Sequence, residues 1–208
     1  MSIVSVFRKP FKWLTSLILS ANIKNNKVIS ESDKSKIYDL LSKDYYIILT
    51  RRKTVFSTFF INLADFIITG KWGFWSHTLM NLEDSVTEVK DFRLIEATSA
   101  GVHYSPFEMV FNVESVALLK PKKMTVDEWT NLFDVAKAQL GKPYDTLFDI
   151  TNNETMSCVE LVRHVLQKEP NYEKDFEAFE SMIKKSEDLT PQMFFDCGDF
   201  EIVFSAHV

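Results

Sequence analysis

Residues 151–162 read Thr151-Asn152-Asn153-Glu154-Thr155-Met156-Ser157-Cys158-Val159-Glu160-Leu161-Val162, a polar segment that gives way to apolar residues at Cys158. Leu161, Val162 and Val165 recur at helical spacing, so the stretch predicts a helix over 158–167 with Cys158 at its start. The first turn of a helix presents N–H groups without intrahelical partners and the positive end of the helix dipole. Both stabilise a thiolate and both can hold an oxyanion, which is what a cysteine nucleophile needs. The other role open to a lone cysteine here is that of a small buried hydrophobe.

Working outward, the preceding loop carries Tyr144, Asp145, Phe148, Asn152 and Asn153, and before it lies a strongly marked helix. Thr125-Val126-Asp127-Glu128 is a capping box, and Trp129, Leu132, Phe133, Ala136 and Leu140 form one apolar face that Gly141 and Pro143 close. Further upstream the period shortens. Tyr45 to Leu49, Trp75 to Met80, Phe92 to Ala97 and Val113 to Leu119 read as strands, the last three joined by mostly short turns, so the sheet is expected to be antiparallel. Ser30 to Asp33 offer N-caps for a helix through Ile37, Leu40 and Leu41; Val55 to Ile68 reads as another helix, ended by Gly70. Residues 170–208 read as one or two short helices and a final strand near Phe200 to Phe204.

His77 lies inside a predicted strand, flanked by Ser76 and Thr78, where its imidazole can meet the Cys158 helix. Glu96 is an acidic residue in the otherwise apolar run Leu94-Ile95-Glu96-Ala97 on the next strand. If the strands are neighbours, the carboxylate can hold one ring nitrogen of His77 and leave the other for the thiol proton. A water-facing charge and a hydrogen-bonded core histidine are the plainer roles for these two residues. His103, read as lying on a loop, is a competing orienter. His164 falls on roughly the opposite helix face from Cys158, a poor place for a partner.

Taken in order, Ser76-His77, Glu96-Ala97, Gly141-Lys142-Pro143-Tyr144-Asp145 and Ser157-Cys158-Val159-Glu160-Leu161-Val162 resemble the circularly permuted papain-like cysteine hydrolases of the NlpC superfamily, in their YiiX-like branch. Relatives of lecithin retinol acyltransferase belong to the same superfamily. In the permuted group histidine precedes cysteine along the chain, as here. The resemblance spans roughly residues 45–168 and implies an α+β permuted papain-like (NlpC-type) fold, an antiparallel sheet packed against helices with the nucleophile at a helix N-terminus. It implies Cys158 as nucleophile, His77 as general base and then acid, and Glu96 as the residue that orients the imidazole. Tyr144, in the G-x-P-Y-D turn, is expected to shape the pocket or to help bind the oxyanion. Val159 departs from the small hydroxyl residue often found after the cysteine.

The resemblance offers cell-wall peptide amides or lipid acyl groups as substrates, and hydrolysis through a thioester acyl-enzyme or transfer to another acceptor as outcomes. Trp75, with Trp72 and Phe74, is expected near a hydrophobic substrate. A non-catalytic papain-like module that binds a peptide in the same cleft is the alternative of a different class. The mechanism requires no metal or organic cofactor.

Composition bounds these readings. The chain has 208 residues, 46 % hydrophobic and 25 % charged, the profile of a globular domain. Lys and Arg total 24 against 29 Asp and Glu, and the net charge of −5 argues against a protein built to hold nucleic-acid backbone. Two cysteines, Cys158 and Cys197, make neither a disulfide framework nor a zinc-binding spacing. Arg8, Lys9 and Lys12 precede a short apolar run from Trp13 to Leu19. It imitates a secretory signal, and equally an amphipathic helix that docks on the domain or touches a membrane surface. A cytoplasmic or membrane-associated protein is favoured over a secreted one. The division expected is an N-terminal helical extension over 1–44, a catalytic core over 45–168, and a C-terminal extension over 169–208 packed on that core.

Overall fold

A computed structural model describes residues 28–51, 66, 72–82, 93–145, 152, 154–186 and 188–208. The N-terminal stretch up to residue 27, nearly all of the helix expected over 55–68, and Phe92, Phe148 and Asn153 lie outside the described residues.

Among the described residues six strands form one sheet: β1 (Ile47–Arg51), β2 (His77–Asn81), β3 (Leu94–Thr98), β4 (Gly101–Ser105), β5 (Ser115–Pro121) and β6 (Phe200–His207). Their order is β4-β3-β2-β1-β5-β6 and every neighbouring pair is antiparallel. The expected sheet is therefore present. Side chains alternate across it as the two-residue period requires. Tyr45, Ile47 and Leu49 enter one apolar cluster while Tyr46 and Ile48 enter a second, so both faces of β1 are buried.

The first cluster is covered by α4 (Cys158–Leu166), whose Val159, Leu161, Val162 and Val165 are buried. Nine residues are too few for a helix to persist alone in water, where about 12–15 are needed. Each buried aliphatic side chain contributes roughly 1.5–3 kcal/mol, so four of them outweigh that deficit. The second cluster is covered by Ile37 and Leu41 of α1 (Glu31–Leu41) and by Phe107 and Val110 of a single 3-10 turn. Ser30 caps α1 by accepting a hydrogen bond from the Asp33 N–H.

Three local features differ from the sequence reading. The capping box of Thr125 and Glu128 is in place, but the helix behind it is two short ones, α2 (Val126–Asn131) and α3 (Phe133–Lys137). At Leu132 the N–H donates to the Trp129 carbonyl, a tighter i to i−3 bond that interrupts the α pattern. His103 is on strand β4, not on a loop. Gly101, at φ +90°, opens that strand, and the polar run His103-Tyr104-Ser105 hides it from an apolar-alternation reading. Finally, the segment after 168 supplies α5 (Tyr172–Asp175), α6 (Glu177–Ser186), α7 (Pro191–Asp196) and β6, which is the outermost strand of the same sheet. It is built into the fold through β5 rather than laid on its surface.

Candidate active site

His77 is the first residue of β2 and Glu96 the third of β3. Leu79 is the residue directly opposite Glu96, so His77 and Glu96 stand on a diagonal, a spacing long side chains bridge. His77 Nε2 and Glu96 Oε2 are 2.5 Å apart. Glu96 is 2 % exposed, and its other oxygen, Oε1, accepts a hydrogen bond from the Ser105 hydroxyl. His103 Nε2 is 3.8 Å from that same oxygen, beyond hydrogen-bond reach, and its Nδ1 donates to the Gly101 carbonyl at 2.9 Å. Of the two candidate orienters, Glu96 is the one in contact with His77.

Cys158 begins α4 and is buried, with a free thiol. Its helix start is fixed by a capping box: the Ser157 N–H donates to Glu160 Oε2 at 2.6 Å, and the Glu160 N–H donates to Ser157 Oγ at 3.4 Å. The box occupies the N–H groups of Ser157 and Glu160 and leaves those of Cys158 and Val159 to the site. His77 stands close enough to Cys158 to feel its charge as well as that of Glu96. With Nε2 on Glu96, Nδ1 is the nitrogen left for sulfur. Burial alone would lower the His77 pKa, but the negative charge of Cys158 and the bond and charge of Glu96 outweigh it and push the pKa up to about 10. The imidazole therefore keeps its proton at neutral pH.

Tyr144 reaches this centre because the turn before it is stitched to the segment leading into α4. Residues 144 and 156 form a parallel β-bridge, and the Met156 N–H donates to the Pro143 carbonyl at 3.0 Å. Burial raises the Tyr144 pKa well above that of a free phenol, and the negative charges of Cys158, Glu160 and Asp145 raise it further. Tyr144 thus stays a phenol, able to donate. Asp145 and Glu160 are both buried, near enough for the charge of one to act on the other. Burial pushes Glu160 up to about 7, and although the Ser157 bonds oppose this, the charge of Asp145 reinforces it. A proton stays on Glu160 until near neutrality.

Trp75 is placed in the core. It is 1 % exposed, with ring neighbours Phe74, Phe195 and His207 at 5.0, 5.4 and 5.8 Å. The Phe74 and Trp75 N–H groups donate to Gln192 Oε1 of α7, which fixes the approach to His77. Trp72, by contrast, is 53 % exposed. His164 answers to burial and to the charges of Lys168 and Lys142 rather than to Cys158.

A family model, described as permuted papain-like amidase enzymes of the YaeF/YiiX, C92 family, matches residues 49–204. The chain belongs to this family. As a C92 protein it is an enzyme of the amidase or peptidase kind. Among solved structures the metalloprotein yiiX from Escherichia coli O157:H7 shares the fold, with a TM-score of 0.54 and 21 % identity over 78 % of this chain and 97 % of that one. No curated protein matches the chain. Among the described residues, no three His, Cys, Asp or Glu side chains are grouped so as to hold a metal ion. No helix among them is long and apolar enough to cross a membrane.

Two parts of this cluster escaped the sequence reading. Ser157-x-x-Glu160 is a capping-box spelling that could have been read directly. Ser105 carries no local signal, because its partner Glu96 is reached only through the pairing of β3 with β4.

Proposed function

We propose that the protein is a cysteine amidase that works through Cys158, His77 and Glu96 and a thioester acyl-enzyme. The observation that carries this reading is the place of the His77 imidazole, with Nε2 2.5 Å from Glu96 Oε2 and the ring near enough to Cys158 that the two negative charges push its pKa up to about 10.

The thiolate Sγ attacks an amide carbonyl carbon, forming the C–S bond while the carbonyl π pair moves to oxygen. The N–H groups of Cys158 and Val159 and the Tyr144 hydroxyl receive the oxyanion. As it collapses, the C–N bond breaks and the His77 imidazolium gives its proton to the departing amine. Neutral His77 then takes a proton from water, the resulting hydroxide attacks the thioester, and the C–S bond breaks to release the carboxylic acid. The thiolate and imidazolium are restored. Glu96 holds the imidazole in place and offsets its charge throughout.

Peptide amides of the cell-wall type are the first substrates to try, with acyl esters beside them. The test begins without substrate. Iodoacetamide at pH 7 is expected to label Cys158 rapidly in the parent and slowly in His77→Ala. Cys197 serves as internal control, since burial pushes its thiol up to about 12. Equal labelling of Cys158 in both chains, or amide turnover surviving Cys158→Ala, would end this reading and favour a binding module.

A further inference from the structure

We propose that Ser105 is a positioning residue of the reaction, fixing the Glu96 carboxylate so that Oε2 points at His77. The inference rests on the triad reading above and deepens it.

Glu96 faces His77 from β2, and Ser105 and His103 from β4. The terminal torsion of a glutamate is soft, so one hydrogen bond at Oε2 does not set the plane of the carboxylate. A donor at Oε1 does. Ser105 is 6 % exposed and donates to Oε1, which makes the contact dry and directional. His103 cannot replace it when neutral. Its Nδ1 carries the hydrogen given to the Gly101 carbonyl, so Nε2 turns a lone pair, not a proton, towards Glu96. Without the Ser105 hydroxyl, Oε1 loses the buried neutral donor that β4 gives it.

The register accounts for why this position serves. Glu96 lies opposite His103, and Ser105 is two residues further on, so Glu96, His103 and Ser105 share one face of the β3–β4 pair. Ser105 is the last residue of β4, where a short side chain reaches across the diagonal.

The test uses the full chain labelled with 13C at histidine Cε1, titrated by NMR in the parent, Ser105→Ala and Ser105→Thr, with His77→Gln to assign the resonance. Ser105→Ala is expected to lower the His77 midpoint by about one pH unit, the scale of one charge-assisted hydrogen bond. Alkylation of Cys158 at pH 7 should slow roughly fivefold with it, and Ser105→Thr, which keeps the hydroxyl, should restore both. A His77 midpoint and labelling rate unchanged in Ser105→Ala, while His77→Ala still suppresses labelling, overturns the role of Ser105 alone. Labelling indifferent to His77→Ala overturns the triad reading, and this inference with it. Should the alanine chain fail to fold, Ser105→Cys keeps the volume with only a weak donor and carries the same expectation.

Discussion

The carbonyl oxygen of Lys142 lies 2.5 Å from where a Cβ on Gly101 would stand, and Gly101 itself is held at φ +90°. The Val102 N–H donates to that carbonyl, and the Gly141 N–H donates back to Val102, so the turn that leads to Tyr144 is clamped to the start of β4. Two distant parts of the site, the strand with Ser105 and the turn with Tyr144, are joined by a glycine. Gly101→Ala is expected to cost at least about 2 kcal/mol in urea unfolding, from left-handed strain and the displaced carbonyl together. A loss under about 0.5 kcal/mol would show the clamp to be slack.

The proton on His77 sets a pH limit. Its pKa rises from 6.5 unfolded to about 10 folded, so its contribution to stability is whole below pH 6.5 and is lost as pH climbs through about 10. The stability advantage of the parent over His77→Gln should shrink across that window. Amide turnover should fall on the same alkaline limb, since a neutral imidazole has no proton for the leaving amine. A limb centred near 6.5 would contradict this account of the site.

Glu160 has the same sign in a lower window. Its folded pKa of about 7 lies above the ordinary 4.5, so the stability linked to it is present below pH 4.5 and declines as pH rises through 7. The loss is on the order of 3 kcal/mol. Glu160→Gln keeps an acceptor for the Ser157 N–H and offers Asp145 a donor instead of a second carboxyl. The variant should be flat across this range and more stable than the parent above pH 7, as followed by thermal unfolding at several pH values.

Further along α4, Arg163 forms a bidentate pair with Glu180 of α6, Nε to Oε1 at 2.8 Å and Nη2 to Oε2 at 2.9 Å, and the Tyr172 hydroxyl also donates to Glu180. Arg163→Met leaves a buried carboxylate without its cation and should destabilise by about 3 kcal/mol, while adding Glu180→Met should return most of it. A double-mutant cycle in urea reads the coupling; a value near zero would make the pair ornamental to the helix that bears Cys158.

His77, Glu96, Tyr144 and Cys158 could be singled out in the sequence because each sits where local pattern is informative: a polar residue in an apolar strand, a turn after a capped helix, a helix start. Sequence reading placed Trp75 beside the substrate, whereas the ring is packed among Phe74, Phe195 and His207 from elements far apart in the chain. Burial of an aromatic is a property of what folds over it, and no window of neighbours contains that.

By itself, then, the sequence determined what depends on period, caps and motif order: the antiparallel strands, the capped helices and the sequence His77, Glu96, Cys158 with its permuted papain-like resemblance. Tertiary structure decided what depends on register and charge at close range. The pairing of β2 with β3 brought Glu96, rather than His103, against His77, and that of β3 with β4 brought Ser105 to Glu96. The packing of α4 on the sheet put Cys158 and Glu96 on either side of His77 and so fixed its proton, and the turn at 141–145 set Asp145 against Glu160. Hydrogen bonds and Coulomb interactions act over a few ångströms, and only the folded chain makes residues tens of positions apart that close.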